Sequence, residues 1–301
     1  MLGIIFVVIA CVLWAVDTLI RYPLLFGGMS AERIVFTEHL FLTLIFIPAF
    51  IKNRSVIWQM KLSSIFYFFF IGVLGSAIAT LCFTKAFVLI NPSLVILLQK
   101  LQPIVAITLA SFIIGEKIQK PFMFLAVIAI VGAVLISSQD IFPGLVQFDF
   151  KLAFLSEKAI LGYLLTMVAV VSWGASTVFG KKLTAEGFSE IQIMGGRFSF
   201  GFIFLSAYIL ANKQYMIGSW QWITWGKVLL MVLLSGLLGM YFYYKGLKQI
   251  SARVCAITEM FFPLSAVAIN WIFLDAKLNV VQIIGALLLV IASTIIQIKR
   301  F

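Results

Sequence analysis

Apolar runs close to the length of a membrane-spanning helix recur along the whole chain. A hydrocarbon core about 30 Å thick is crossed by about 20 consecutive apolar residues in a helix. Short polar breaks such as Lys52-Asn53-Arg54 and Asn91-Pro92-Ser93 separate the runs. The sequence therefore predicts an all-α membrane protein with ten transmembrane helices, over residues 2–20, 32–51, 63–88, 93–114, 121–138, 159–179, 190–211, 226–247, 252–274 and 279–298.

The composition excludes several other classes of protein. Hydrophobic residues make up 63% of the chain and charged residues 11%, against about 45–50% and about 25% in soluble domains. Cys11, Cys82 and Cys255 lie in apolar runs, and His39 is the one histidine, so neither a zinc site nor a disulfide framework is supported. The formal charge of +11 is scattered in ones and twos, which argues against binding to nucleic acid. We expect no cofactor, no metal and no nucleic-acid partner.

The basic residues and the longest break set the expected topology. Lysine and arginine are modestly enriched in the breaks that share a side with the two termini, which favours both termini in the cytoplasm. The break at 139–158 divides the chain nearly in half. We therefore predict one five-helix unit over residues 1–138, a connecting loop over 139–158, and a second five-helix unit over 159–301.

The two halves carry the same residues at matching positions. An offset of 159 lays Trp14-Ala15-Val16-Asp17-Thr18 over Trp173-Gly174-Ala175-Ser176-Thr177, and an offset of 160 lays Pro103 over Pro263. Because each unit holds an odd number of helices, the second must enter the membrane upside down relative to the first. Such inverted repeats build many secondary transporters, whose substrate site lies near the midplane where the repeats meet.

These features resemble the drug/metabolite transporter superfamily, EamA type. The resemblance rests on two five-helix repeats, a Trp-x-x-x-Thr in the first helix of each, a proline in each fourth helix, and Gly115-Glu116-Lys117 after helix 4. The chain departs from the family pattern at Ala15, at Asp275-Ala276, and at Glu38, which occupies the place of Arg197. The resemblance implies a carrier of small metabolites in which helices 1 to 4 and 6 to 9 surround a central cavity, with helices 5 and 10 peripheral.

Polar side chains inside the apolar runs mark the expected substrate site. A charge at a helix centre costs about 2.5–3.5 kcal/mol on insertion scales, so it usually faces a cavity or a partner. The candidates that bind substrate are Trp14, Asp17, Glu38, Gln99, Lys100, Trp173, Arg197, Tyr243, Glu259 and Asn270.

Two prolines place part of this set at matching depths. Gln99 and Glu259 each lie four residues before a proline, Pro103 or Pro263, which cannot donate to their carbonyls. The sequence predicts that both helices break there and that each break presents a side chain and an unbonded carbonyl at one level.

Each charge also has an alternative that the sequence leaves open. Asp17 is either a ligand or proton site or the partner of Arg21 at i+4. Glu38 and Arg197 either neutralise each other or one of them holds a substrate group. Lys100 either pairs with Glu259, Glu38 or Asp17 or binds a substrate carboxylate. Trp14, Trp173 and Tyr243 either line a cavity or only pack.

The predicted function is secondary transport of a small amino-acid-like, amine or zwitterionic metabolite by alternating access. Asp17, Glu38 and Glu259 against Lys100 and Arg197 leave one net negative charge, which suits a zwitterion. Export by proton antiport is expected, with Glu259 as the coupling residue. The expected location is the bacterial inner membrane, with the protein a monomer or homodimer in the lipid bilayer.

Two other functions compete with this one. A flippase, or a flippase subunit, for a lipid-linked or phosphorylated substrate would share the fold and use Lys100 and Arg197 as phosphate anchors. An intramembrane enzyme would need a nucleophile with its base or a metal triad, and one histidine beside scattered carboxylates offers neither. We therefore expect a protein that is not an enzyme.

Overall fold

The computed structural model describes residues 2–52, 60–115, 117–141, 156–212, 222–247, 249–250 and 252–299, and the regular elements in these ranges are helices. The predicted loop at 139–158 therefore lies largely outside the described residues, as does Glu116. The helices are α1 (Leu2–Phe26), α2 (Ala31–Lys52), α3 (Leu62–Ala86), α4 (Pro92–Ile114), α5 (Lys120–Ile136), α6 (Glu157–Ala185), α7 (Glu190–Ala211), α8 (Trp222–Leu247), α9 (Ala252–Thr258 and Phe261–Phe273) and α10 (Val280–Lys299).

Length and composition make seven helices of the described chain able to cross a membrane. They are Leu2–Phe26, Leu62–Ala86, Pro92–Ile113, Glu157–Ala185, Glu190–Ala211, Trp222–Tyr243 and Val280–Lys299. The apolar helices Lys120–Ile136 and Phe261–Phe273 are shorter. Large apolar side chains on the outside of the bundle, such as Phe112, Phe124 and Ile272, are 81%, 68% and 72% exposed, as expected where the surrounding medium is lipid.

Two helices are interrupted near a proline, as the sequence predicts. In α4 the α-helix stops at Leu98, continues as a 3-10 turn over Gln99–Leu101 and resumes at Gln102. In α9 it stops at Thr258 and resumes at Phe261. Proline at 103 or 263 lacks the N–H that would donate to the carbonyl four residues earlier. The turn that precedes each proline therefore tightens towards a 3-10 conformation.

Two further helices contain a π-helical segment that the sequence does not predict. The segment in α3 covers Val73–Ile78 and the one in α8 covers Val232–Leu238. A π-helical turn shifts the backbone hydrogen bonds out of the regular pattern and frequently occurs at functional sites. Both segments lie in the middle of their helices.

Left-handed backbone conformations occur at matching positions in the two halves. Gly28 after α1 has φ 86°, and Gly187 after α6 has φ 93°. Gly115 after α4 has φ 80°, and Asp275 after α9 has φ 52°. The last is the one non-glycine residue with positive φ in the described chain. Asp275 therefore adopts the left-handed conformation that Gly115 adopts in the first half. Aspartate is one of the residues that tolerate this conformation, so the turn forms although the glycine of the Gly-Glu pattern is replaced.

Each half contributes its first helix to the other half. Helix α1 packs against α8 and α9, whereas α6 packs against α3 and α4. Other large contacts join α7 to α2 and α3, and α5 to α10. In the last pair the backbones touch, since a Cβ on Gly285 would lie 2.7 Å from the Gly132 carbonyl oxygen. Small residues that allow such close approach are typical of helix pairs in membranes.

Candidate functional site

A cavity of about 1140 Å³ lies between the two helix breaks and one end of the bundle. Its deeper wall comes from α1, α4, α8 and α9, and its mouth comes from the C-terminal ends of α4, α6 and α10. The residues that line it are Trp14, Gln99, Lys100, Gln102, Pro103, Ala106, Ile107, Lys117, Gln119, Thr177, Lys181, Met240, Tyr243, Glu259, Phe262, Ile296 and Gln297.

Helix α10 thus takes part in the cavity wall, although the resemblance implied a peripheral position for it. Ile296 and Gln297 line the cavity, and the Ser293 hydroxyl donates to the Lys100 carbonyl oxygen at 2.6 Å. None of the lining residues comes from α2, α3, α5 or α7 in the described chain. The cavity is therefore built from fewer helices than expected.

Three aromatic rings form one wall of the cavity. The ring centroids of Trp14 and Tyr243 are 5.3 Å apart, and those of Trp14 and Phe262 are 6.3 Å apart with a perpendicular arrangement. The Trp14 indole N–H donates to the Ser235 carbonyl oxygen at 3.0 Å, which fixes the ring plane. Space for this indole exists because residue 239 is glycine, where a Cβ would lie 2.6 Å from the indole nitrogen. The wall offers an apolar face to a planar ligand.

Opposite charges lie at the two helix breaks. The Glu259 Oε1 atom accepts from the Tyr243 hydroxyl at 2.8 Å and from the Cys255 thiol at 3.4 Å. The Lys100 ammonium lies 5.6 Å from the centre of the Phe262 ring, within the range of a cation–π contact. Lys100 and Glu259 therefore share the cavity, and the ammonium contact given for Lys100 is the Phe262 ring, so pairing of Lys100 with Glu259 stays a prediction.

The break carbonyls are not free, which corrects the prediction made from the prolines. The Glu259 carbonyl accepts from the Phe262 N–H at 3.2 Å, and the Gln99 carbonyl accepts from the Gln102 N–H. At each break the backbone tightens, so that the N–H of the residue three positions later in the sequence supplies the missing donor. The breaks therefore present side chains, and no unbonded backbone oxygen, to the cavity.

Amide side chains supply polar groups along the cavity. The Gln99 Oε1 atom is buried and has no hydrogen-bond partner among the described residues. The Gln102 amide nitrogen donates to the Thr177 hydroxyl at 3.4 Å, across the cavity from α4 to α6. Nearer the mouth, the lining includes Gln119 and Gln297. The lining therefore carries several amide side chains, and the Gln99 oxygen itself is buried behind the cavity surface.

Asp17 and Glu38 do not line the cavity. The Arg21 guanidinium donates to both Asp17 oxygens, at 2.6 and 3.2 Å, and to Glu38 Oε2 from two nitrogens, each at 3.2 Å. It also donates to the Thr84 hydroxyl at 3.0 Å, and its side chain is 6% exposed. The i+4 pair of Asp17 with Arg21 is thus present, and Glu38 binds Arg21. We call these three residues the Arg21 cluster.

Arg197 and His39 bind the π-helical segment of α3 and lie away from the cavity wall. An Arg197 nitrogen donates to the Gly75 carbonyl oxygen at 2.6 Å, and the His39 Nε2 atom lies 3.0 Å from the Ser76 hydroxyl. At the equivalent place in α8, Ser235 binds Trp14 through its carbonyl and donates to Asp17 at 2.9 Å. Sequence reasoning missed Ser235, because one serine in an apolar run carries no signal of a shifted backbone.

Three other predicted residues also lie outside the cavity lining. The Trp173 ring contacts Phe83, with 5.0 Å between centroids, although its repeat equivalent Trp14 faces the cavity. Asn270 is fully buried and donates to the Ser93 hydroxyl at 3.3 Å, so it joins α9 to α4. Pro263 is buried behind the break that it causes. Gln99, Lys100, Tyr243, Glu259, Trp14 and Pro103 are the predicted residues that the structure brings together.

The cavity lining also includes residues that the sequence analysis did not select. Lys117 and Lys181 lie at the mouth, and Phe262 and Gln102 lie beside predicted residues. The lining therefore carries three lysines and one carboxylate, in place of the expected net negative charge. The difference has two sources, because Asp17, Glu38 and Arg197 lie elsewhere and because Lys117 and Lys181 were not selected.

Comparison with known proteins identifies the family. The model of the EamA-like transporter family matches residues 1–138 and again residues 160–298. The riboflavin transporter ImpX of Fusobacterium nucleatum is 29% identical over 315 positions, which cover 99% of this chain and 97% of that protein. The uncharacterized transporter YoaV of Bacillus subtilis is 26% identical over 135 residues, covering 45% of this chain and 46% of that protein.

A solved crystal structure shares the fold. It superimposes with a TM-score of 0.62 over 99% of this chain and 96% of that chain, at 14% sequence identity. The resemblance inferred from the repeated motifs is confirmed, and the matching names describe transporters rather than enzymes. The chain belongs to the EamA-like transporter family, whose members are multi-pass membrane proteins that move small molecules across a lipid bilayer.

Proposed function

We propose that this protein carries a small planar heteroaromatic metabolite, with riboflavin as the first substrate to test, by alternating access across the bacterial inner membrane. The observation that carries the proposal is a cavity whose lining combines three aromatic rings with amide side chains beside the helix breaks. The riboflavin transporter that aligns over 99% of the chain supports the choice of substrate.

The cavity matches the chemistry of a flavin. Riboflavin combines a flat tricyclic ring, a ring edge with one N–H between two carbonyls, and a chain of hydroxyl groups. The ring would lie on the wall formed by Trp14, Tyr243 and Phe262. The polar ring edge would bind amide groups of the lining such as Gln102, and the hydroxyl chain would bind Gln119 and Gln297 towards the mouth. Cavities for small ligands typically measure about 300–1,000 Å³, so about 1140 Å³ gives room for such a molecule.

The proposal includes ten spans in two inverted repeats, over residues 1–138 and 159–301 with a connecting loop at 139–158. Three observations support it. The family model matches twice, with limits close to these. The first helix of each half packs on the third and fourth helices of the other. Left-handed residues also recur at equivalent positions, Gly28 with Gly187 and Gly115 with Asp275. With both termini in the cytoplasm, the cavity mouth faces the cytoplasm, which suits a protein that collects its substrate there for export.

A zwitterionic substrate is the second candidate, because Lys100 and Glu259 provide both signs of charge in one cavity. A substrate carboxylate would bind Lys100, and a substrate ammonium would bind Glu259. The flippase alternative has less support, since of its two expected phosphate anchors only Lys100 lines the cavity, and Arg197 binds α3.

Counterflow into proteoliposomes tests both candidates. Vesicles loaded with unlabelled riboflavin should take up labelled riboflavin, with saturation, and the vesicles loaded with an amino acid should not take up that amino acid. If the protein carries a zwitterion instead, Lys100→Gln and Glu259→Gln should each abolish that uptake. If it carries riboflavin, riboflavin uptake should persist in each variant at reduced affinity. Lys277→Gln is the matched control, because Lys277 is 64% exposed and pairs with Asp275 away from the cavity.

The results separate the two candidates clearly. Saturable uptake of amino acids without riboflavin uptake would reject the flavin proposal and establish the zwitterion carrier. Absence of counterflow for riboflavin and for every amino acid would reject both. We also propose proton coupling, because Asp17, Glu38 and Glu259 place carboxylates within the helices.

A further inference from the structure

We infer that the Arg21 cluster is the proton-coupling site of this transporter, with Glu38 as the group that takes the proton and Ser235 as its link to the substrate cavity. The inference rests on the proposed proton-coupled transport and moves the coupling site away from Glu259, where the sequence analysis expected it.

The charges of the cluster require a proton. Asp17 and Glu38 bring two negative charges to one guanidinium, and a guanidinium does not give up its proton in proteins. The cluster therefore carries one net negative charge inside the membrane when both carboxylates are ionised. One proton on a carboxylate balances it, and the release of that proton as H⁺ restores the charge. Only this bond between a carboxylate oxygen and a proton forms and breaks.

Hydrogen bonding identifies Glu38 as the carboxylate that takes the proton. Asp17 accepts from Arg21 through both of its oxygens, and the Ser235 hydroxyl, shared with the Met231 carbonyl at 2.8 Å, lies 2.9 Å from Oδ1. Among the residues that the structure describes, Glu38 accepts from Arg21, at 3.2 Å from each of two nitrogens and through Oε2 only. The negative charge of Asp17 is therefore compensated through both of its oxygens, whereas that of Glu38 is compensated through one, so Glu38 is the carboxylate to which we assign the proton.

Ser235 connects the cluster to the substrate. Its carbonyl accepts from the Trp14 indole, which lines the cavity, and its hydroxyl donates to Asp17. The residue lies in the π-helical segment Val232–Leu238, and such segments frequently occur at functional sites. A substrate that moves Trp14 moves Ser235 towards Asp17. Asp17 then depends less on Arg21, Arg21 binds Glu38 more tightly, and Glu38 releases its proton. Substrate binding and proton binding are then coupled through one residue.

The groups that surround the cluster do not supply the missing positive charge. Within the described chain, the titratable or charged side chains of the neighbouring helices each have a contact of their own. His39 binds Ser76, Lys85 pairs with Glu32 at 2.6 Å, and Arg197 binds the Gly75 carbonyl. On the cavity side, Tyr243 and Cys255 donate to Glu259, and Lys100 shares the cavity with that carboxylate. Glu259 therefore has a cation nearby, whereas Glu38 must share Arg21 with Asp17.

Infrared spectroscopy of the purified protein tests the proton site without any substrate. The C=O stretch of a protonated carboxylic acid is separate from the carboxylate and amide bands. Across a pH titration, native protein should show a carboxylic acid band that Glu38→Gln lacks and that Glu32→Gln retains. Glu32 is the matched control, because it is a carboxylate of the same helix that has a lysine of its own. An unchanged band in Glu38→Gln overturns the assignment.

Transport then tests the coupling. The membrane potential is held at zero, and the vesicle interior is one pH unit more acidic than the outside. If one proton leaves for each riboflavin that enters, riboflavin should reach about a tenfold higher concentration inside. Native protein and Glu32→Gln should reach this accumulation, whereas Glu38→Gln should keep counterflow and show no accumulation. Glutamine mimics the protonated state permanently, so the carrier still moves but exchanges no proton. Concentrative uptake that survives in Glu38→Gln overturns the inference.

The two measurements separate failure of the inference from failure of the proposed function. Loss of counterflow in native protein rejects riboflavin transport, and the infrared band is still measured on that protein. If Glu38→Gln does not fold, as judged by size-exclusion chromatography, Asp17→Asn removes the same net charge. It should lose the band and the accumulation in the same way, and retention of both overturns the proton site.

Discussion

Replacing Trp14 with leucine is predicted to weaken riboflavin binding, whereas the same change at Trp173 is not. The two residues are repeat equivalents, but only Trp14 lines the cavity, next to Tyr243 and Phe262. Trp173 packs on Phe83 elsewhere. An aromatic pair contributes about 0.5–1.5 kcal/mol beyond the area that it buries. Loss of one ring beneath the flavin therefore raises Kd by about 2-fold to 13-fold.

A phenylalanine at the same position separates stacking from the hydrogen bond. Trp14→Phe keeps a ring in the wall but removes the N–H that donates to Ser235 at 3.0 Å. Its main effect is then on the free energy of unfolding, which falls by about 0.5–1.5 kcal/mol. Riboflavin affinity should stay closer to the native value than in Trp14→Leu.

The assay is quenching of riboflavin fluorescence on titration with each purified variant in detergent, together with thermal unfolding. Native affinity in Trp14→Leu would refute the aromatic wall as a binding surface. Equal losses of affinity in the leucine and phenylalanine variants would show that the contact with Ser235, and not the ring, supports binding. A loss in Trp173→Leu as large as that in Trp14→Leu would show that the effect is not specific to the cavity.

Three further changes have defined outcomes. Gly285→Ala should lower the melting temperature and the free energy of unfolding, the latter by about 1–3 kcal/mol, because the added Cβ meets a carbonyl of the facing helix at 2.7 Å. Gly180→Ala, with open space around it, should raise the melting temperature and increase the free energy of unfolding by about 0.5–1 kcal/mol. Asn270→Ala should reduce stability by about 1 kcal/mol through loss of the bond to Ser93 and leave riboflavin affinity unchanged in the fluorescence titration. Pro103→Ala restores a backbone N–H donor to α4, so counterflow should slow while the far-ultraviolet circular dichroism shows no loss of helix.

The helices and their breaks are predictable from the sequence, because both depend on local chemistry. The apolar runs mark where the helices lie, and Pro103 and Pro263 mark where two of them break. The i+4 spacing of Asp17 and Arg21 made their pairing one of two alternatives, and the structure contains it. In each case the relevant atoms lie within one or two turns of one another.

The residues that line the cavity are less predictable, because they depend on which faces of the helices pack against one another. Trp14 and Trp173 occupy equivalent places in the sequence, yet their neighbours differ. The π-helical segments escape prediction for a related reason. The carbonyl groups of Gly75 and Ser235 accept hydrogen bonds from side chains of helices that are distant in the sequence, and no local sequence pattern indicates such partners.

The exchange of first helices between the halves also has a consequence for biosynthesis. Asp17 and its partner Ser235 are 218 residues apart in the chain. At about 5–20 residues per second, α1 waits about 10–40 s in the membrane before its partner helix is made. During that interval the carboxylate of Asp17 would be an isolated charge in lipid if Arg21 did not lie on the next turn of the same helix. The internal ion pair therefore lets α1 enter the bilayer electrically neutral, ahead of the helices that complete its surroundings.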